Sequence, residues 1–335
     1  MDFERNELNK DSNGGTEQIM SRLFRDVPED LLNKFQIIPS RVRDLKEDKR
    51  RVLCLHDLPN DPEAKAALVS NGGWARFHRL VFVSHWQRQA YLNEYKEIPW
   101  SKTAVIPNSI EPFDIGLEKP TDRINVIYHT TPHRGLNVLV PVFKRLQEKY
   151  GDKIHLDVFS SFELYGTNWK GRDEQFMPLY DDIRKTEGMT YHGYQPNAVV
   201  RATLEKSHIF AYPSIWPETS CISLIEAMGA GLICVHPDYA ALPETSANWT
   251  FMYNWHEDIN KHAGIFNNVL DTAIEVAIEN NEKKNMINRL KSQVGYVNLY
   301  NNWETKKHQW EAFLQSFVDE PTEMQKSQRV FQYRA

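Results

Sequence analysis

Nine short apolar runs, spaced by stretches of helical pattern, leave this chain few folds. The runs lie at 35–38, 52–55, 80–83, 103–106, 124–128, 154–159, 189–192, 209–212 and 232–235. Their length and β-branched content suit strands buried on both faces of a parallel sheet. Between them, 136–150 places Leu139, Val142, Phe143 and Leu146 on one helical face. Strand–helix–strand order implies parallel sheets with right-handed crossovers. At 335 residues the chain is too long for one ordinary α/β domain and suits two. The window 107–120 carries Pro107, Pro112, Gly116 and Pro120 and reads as an interdomain linker. The expected domains are therefore 1–118 and 119–319. The last third reads as helices at 259–279, 283–300 and 303–317, and a polar tail, 320–335, is expected to fray.

Composition and missing motifs exclude several classes. A net charge of −5 argues against a nucleic-acid binder. No apolar run reaches 18 residues, so no membrane-spanning helix is expected, and polar residues 1–12 do not read as a secretory signal. The three cysteines, Cys54, Cys221 and Cys234, are scattered and suit a reducing, cytoplasmic compartment rather than a disulfide framework. Dinucleotide, P-loop and serine-hydrolase signatures are absent. No Asp-x-Asp marks a divalent-metal clamp, and Pro132 between His129 and His133 argues against a zinc-binding helix. No metal is expected. Oligomeric state is not legible.

The stretch 207–235, SHIFAYPSIWPETSCISLIEAMGAGLICV, carries the chemistry. A strand ends at Pro213-Ser214, a loop holds Glu218-Thr219-Ser220, and a helix follows over 221–228, stopped by Gly229 and Gly231. Ligands of open α/β sheets bind beyond the carboxyl ends of the strands. A helix N-terminus there is a seat for phosphate. Glu218 and Glu226, about 12 Å apart if the interval is helical, are too distant to share a proton. They suit two hydroxyl-bearing groups on either side of a diphosphate.

Glu218 and Glu226 form an E-x(7)-E motif, and with the flanking PS, PE and EAMGAG the region closely resembles retaining glycosyltransferases of family 4, which have the GT-B fold. The resemblance implies two Rossmann-like parallel-sheet domains facing a cleft. It assigns Glu226 to the ribose hydroxyls of a sugar nucleotide and Glu218 to the hydroxyls of the transferred sugar. It brings the amides of Thr219, Ser220 and Cys221 toward sugar and phosphates. Asn13-Gly14-Gly15-Thr16-Glu17 resembles the family's N-terminal glycine loop, where a side chain would hold the ligand off. His56 resembles the family's histidine near the donor sugar, or else is satisfied at its strand end. The segment 128–136 resembles the diphosphate loop, with Arg134 in the lysine's role and no arginine at the earlier position, where His129 and Thr130 stand. Tyr191-His192-Gly193-Tyr194 resembles the strand end bordering the base pocket; its tyrosines either border that pocket or pack as core aromatics. Helix 303–317 resembles the closing helix that crosses back to the N-terminal domain. The family's first hydrophobic strand has no counterpart in polar 1–12, so the first domain is abbreviated or its sheet begins later.

The resemblance implies a retaining, metal-independent hexosyltransferase. Its donor would be GDP-mannose or a UDP-hexose, its acceptor a glycan or other hydroxyl, and no cofactor beyond the donor would be needed. Glu218, Arg134 and His56 are the expected catalytic residues. Two alternatives remain at this point: a sugar-nucleotide epimerase on the same fold, or a non-catalytic module binding a nucleotide sugar or glycan.

Overall fold

The computed structural model describes residues 12–69, 73–114 and 118–323. They fall into two compact units, the first holding Ile19–Pro107 and 306–323, the second 12–18 and Asn108–Thr305. The division falls between Pro107 and Asn108, earlier than the expected 118. The physical reason is Lys119. Its ammonium donates to the carbonyls of Leu204, Glu205 and Ala230 at 2.8–3.1 Å, fastening this stretch to the second unit. Burial pushes the Lys119 pKa down to about 7.

The first unit is a four-stranded parallel sheet in the order β1 (Phe35–Pro39), β2 (Arg50–Leu55), β3 (Arg79–Phe82), β4 (Thr103–Val105). Helix α1 (Gly15–Asp26) buries Ile19, Met20 and Leu23, and short α2 (Glu29–Leu32) leads into β1. Among the described residues the sheet begins after the glycine loop; the polar start, residues 1–11, lies outside them. Helices α3 (Pro62–Val69) and α4 (His85–Glu94) follow β2 and β3. Ser84 caps the start of α4: its Oγ accepts from the Gln87 backbone N–H at 3.0 Å. The Gln87 side chain donates in turn to the carbonyls of Leu55 and Asp57, fixing the loop that carries His56. The tail is not frayed at its start. Glu320 pairs with Arg79 at 2.5 Å, and the Pro321 carbonyl lies 2.9 Å from the His78 imidazole.

The second unit is a six-stranded parallel sheet in the order β10-β9-β8-β5-β6-β7. The strands are β5 (Ile124–His129), β6 (Ile154–Phe159), β7 (Met189–Tyr191), β8 (Ile209–Ala211), β9 (Ile233–Pro237) and β10 (Phe251–Tyr253). From β5 the chain winds outward through β6 and β7, then returns to pair β8 on the other side of β5. That reversal between β5 and β8 is a topological switch point, where open α/β sheets take ligands. The flanking helices are α5 (Leu136–Tyr150), α6 (Met177–Lys185), α7 (Asn197–Leu204), α8 (Ile222–Gly229), α9 (Leu242–Ser246), α10 (Ile259–Lys283) and α11 (Ile287–Tyr300). Helix α8 runs through Gly229 and is stopped by Gly231 at φ +72°. The expected helix start at 283 is corrected: Lys284, at φ +56°, ends α10 and α11 begins at Ile287. Helix α12 (Trp303–Gln315) starts in the second unit and belongs to the first from Lys306 onward. Among the described residues no helix is long and apolar enough to cross a membrane.

Candidate functional site

The loop after β5 must turn sharply before α5, and its sequence is built for that. Gly135 sits at φ +131°, and a Cβ there would lie 2.2 Å from the Pro213 carbonyl oxygen. Only glycine brings this loop so close to the loop after β8. Arg134, just before it, reaches across. Its Nε donates to Thr131 Oγ1 at 3.0 Å, Nη2 donates to the Tyr165 hydroxyl at 3.2 Å, and Nη1 pairs with Glu218. Glu218 also accepts from the Tyr212 hydroxyl. Burial opposes the guanidinium's charge, but Glu218, with Tyr165 and Tyr212, more than offsets it and raises the Arg134 pKa well above its ordinary value. Burial, then the Glu218 charge, pushes the Tyr212 phenol up. This cluster is a charge-compensated, hydrogen-bonded group with little access to water.

The surroundings of Glu226, within α8 itself, have a different character. Glu226 is 5% exposed and accepts from Asn197 Nδ2 at 3.3 Å. His129 Nε2, at the carboxyl end of β5, lies 3.7 Å from Glu226 Oε2. Burial pushes the His129 imidazole down to about 3, a backbone contact from Ser223 offsetting only part, so the ring is neutral at physiological pH. Both side chains line a cavity of about 120 Å³, with Gly15, Thr130, Gly193 and Tyr194 among its other walls. All the lining residues belong to the second unit, Asn13, Gly15 and Gln18 included. The glycine loop is strapped there by the Asn13 amide, which donates to the Leu164 carbonyl at 2.9 Å, and by the Asn13 side chain on Tyr194. A Cβ on Gly15 would meet Ile222 at 2.7 Å. The excursion carrying Leu164 is ordered by buried Asp173, which accepts from Ser161 Oγ at 2.5 Å and the Tyr180 hydroxyl at 2.7 Å.

Of the residues singled out from sequence, Gly15, Gly193 and Glu226 line this cavity. Gly14 packs beside it, where a Cβ would lie 3.3 Å from Tyr165. Glu218 departs from expectation, because it is paired with Arg134 rather than open to a ligand. Neither side chain is among the cavity walls. Thr219, Ser220 and Cys221 precede α8; the Ser220 carbonyl accepts from Asn108 Nδ2 at 3.3 Å, and burial pushes the Cys221 thiol up. Tyr191 is a correction. It stacks on Tyr180 with centroids 4.3 Å apart and donates to the Ser160 carbonyl, a packing role, and Tyr194 lines the cavity instead. His56 belongs to the first unit, and burial pushes its imidazole down to about 4. Sequence reasoning missed Asn197 as a cavity wall, and gave Asn13, His129 and Thr130 no role of their own within the loops it did mark. The available signal for His129 was its place at the carboxyl end of the strand nearest the sheet's switch point. His133 lies flat on Phe162 at 5.1 Å and does not join it. Among the described residues no group of three or more His, Cys, Asp or Glu side chains converges on a metal-sized site.

The sequence profile of the family described as glycosyl transferases group 1 matches residues 109–294, more than half of the chain. The protein belongs to this glycosyltransferase family. Solved structures with the same two-sheet GT-B architecture include a glycosyltransferase from Rickettsia africae (TM-score 0.64, 14% identity, 90% of this chain and 82% of that one). HepE from Anabaena in complex with UDP is similar at TM-score 0.59 and 16% identity, over 80% of this chain and 72% of that one. The pneumococcal O-GlcNAc transferase GtfA in complex with UDP and GlcNAc is similar at TM-score 0.61 and 10% identity, over 90% of this chain and 60% of that one. Comparison with curated protein sequences gave no match.

Proposed function

We propose that this protein is a retaining glycosyltransferase of the family 4 kind, moving a hexose from a nucleoside-diphosphate sugar to a hydroxyl of a glycan acceptor. The observation that carries the reading is the cavity at the sheet's switch point, whose walls include Glu226, Gly15 and Gly193. Glu226 takes the ribose. The amides of Thr219, Ser220 and Cys221 face the diphosphate. Arg134 stabilises the charge that grows on it as the glycosidic bond breaks, without a metal ion. For that, the diphosphate competes with Glu218 for the guanidinium, whose planar fork suits phosphate as well as carboxylate. Glu218, once released, takes hydroxyls of the transferred sugar. His56, neutral at physiological pH, serves as a hydrogen-bonding group at the donor sugar rather than as an acid.

Uridine is the proposed base. HepE and GtfA were both solved with UDP. Buried free thiols at Cys54, Cys221 and Cys234 suit a reducing, cytoplasmic setting. Calorimetry with UDP- and GDP-sugars, with and without magnesium, tests the donor. NMR of the product anomer tests retention. Tight UDP-sugar binding without magnesium is expected, and an inverted anomer, or no nucleotide binding at all, overturns the proposal.

A further inference from the structure

We propose that Trp216, flanked by Trp169, is the platform on which the acceptor's own sugar ring stacks, so that the protein takes a pyranoside rather than a simple alcohol as acceptor. The inference rests on the transferase reading above and adds to it the acceptor's class and the residues that recognise it. Tryptophan is highly buried on average, yet Trp216 is 40% and Trp169 38% exposed. Both are tied to the Arg134–Glu218 pair. The Arg134 guanidinium carbon lies 5.9 Å from the centre of the Trp216 ring, and Trp216 stands two positions before Glu218. The same guanidinium donates to the Tyr165 hydroxyl, and the Tyr165 ring meets Trp169 with centroids 5.8 Å apart. Arg172 lies over Trp169, 4.2 Å from its centre, so Trp216 is the principal platform and Trp169 its flank.

Trp216 is held in place before any ligand arrives. Its backbone N–H donates to Ser214 Oγ at 3.3 Å, and that hydroxyl donates to the Trp216 carbonyl at 2.9 Å. The Ile215 N–H donates to the Arg134 carbonyl at 3.2 Å, and Pro217 follows. His133 abuts the ring at 4.8 Å, nearly perpendicular, and is itself backed by Phe162. A ring fixed in this way loses little freedom when a ligand covers it. Neither tryptophan is among the cavity walls, so a nucleotide in the cavity leaves both open. The acceptor must bring a hydroxyl to the group being transferred, which the transferase reading puts at Arg134 and Glu218. A pyranose presents a face of C–H groups, apolar and weakly positive, with hydroxyls around its edge, and that face suits the negative face of an indole. An acyclic alcohol has no such face. Single exposed apolar residues need no explanation, but two tryptophans tied to one buried guanidinium do.

The test is steady-state transfer by the full chain from UDP-glucose and GDP-mannose to a panel of methyl pyranosides and to glycerol, with donor cleavage in the absence of acceptor followed alongside. Wild type is expected to use at least one pyranoside with a KM about tenfold or more below that for glycerol. In Trp216→Ala that preference should collapse, by about tenfold, through the pyranoside KM. Trp216→Tyr, which keeps an aromatic face, should recover much of it, and Trp169→Ala should give a smaller loss in the same direction. A wild type that cleaves donor yet shows no preference for a pyranoside would overturn the inference and leave the transferase reading intact. So would a Trp216→Ala loss shared equally by pyranoside and glycerol, or one that falls on the donor KM and places the ring against the donor. A wild type that neither binds nor cleaves either nucleotide sugar would overturn both.

Discussion

Glu218, in the loop before α8, and Glu226, within α8, are equally buried, each 5% exposed, yet they behave differently. Glu218 is met by Arg134 and Tyr212, so its charge is compensated within the protein. Glu226 has a neutral imidazole and an amide beside it, and the wall of a cavity. One acid is held in an ion-paired network away from the cavity walls, and the other lies on them. The contrast teaches that a motif spacing sets where two carboxylates fall, while their neighbours decide whether each is available.

Breaking the closed end should have the largest effect. Arg134→Ala leaves Glu218 buried without its partner. Urea unfolding should show a loss of about 3–5 kcal/mol, and single-turnover transfer should fall by about 10²–10³. Wild-type transfer in this variant would remove Arg134 from the chemistry. Glu218→Gln sharpens the point, with turnover expected to fall more than nucleotide affinity when both are measured on one preparation. At the open end, Glu226→Ala should weaken nucleotide binding by about 1.5–3 kcal/mol in calorimetry. Unchanged affinity would detach Glu226 from the ribose.

Gly135→Ala tests the loop that brings the two clusters together. Its Cβ must displace the Pro213 carbonyl at a left-handed φ, and chemical denaturation should show about 1–3 kcal/mol of destabilisation. The smallest effect is a pH slope at the neutral end. His129 titrates near 3 in the folded protein and near 6.5 unfolded, so below 6.5 the unfolded chain binds more protons. Its contribution is therefore complete above pH 6.5 and drains as pH falls toward 3, by at most about 1.4 kcal/mol per unit. Stability measured at pH 7 and pH 5 should show a shallower slope in His129→Phe than in wild type. Identical slopes would mean that the imidazole is not held neutral.

Much of the scaffold was readable from the chain. Runs such as 154–159 and 209–212 mark strands because burial on both faces demands continuous apolar, β-branched sequence. The glycines of the strap and the α8 acids were readable because a fixed spacing survives without tertiary information. Strand β10 and the excursion over 162–176 were not, since a three-residue edge strand and short 3₁₀ turns carry too little periodicity. Tyr191 and Tyr194 are alike in sequence, and only the stack on Tyr180 separates the packing ring from the cavity ring.

The amino-acid sequence by itself determined two parallel-sheet units, the order of their strands along the chain, and the neighbourhood of the site, because these follow from local hydrophobic pattern and backbone permissiveness. Only the tertiary structure decided that Arg134 closes on Glu218, 84 positions away, and that His129 faces Glu226. Such pairings depend on which distant groups are buried together, where losing water makes a charge either find a partner or face a cavity that can supply one.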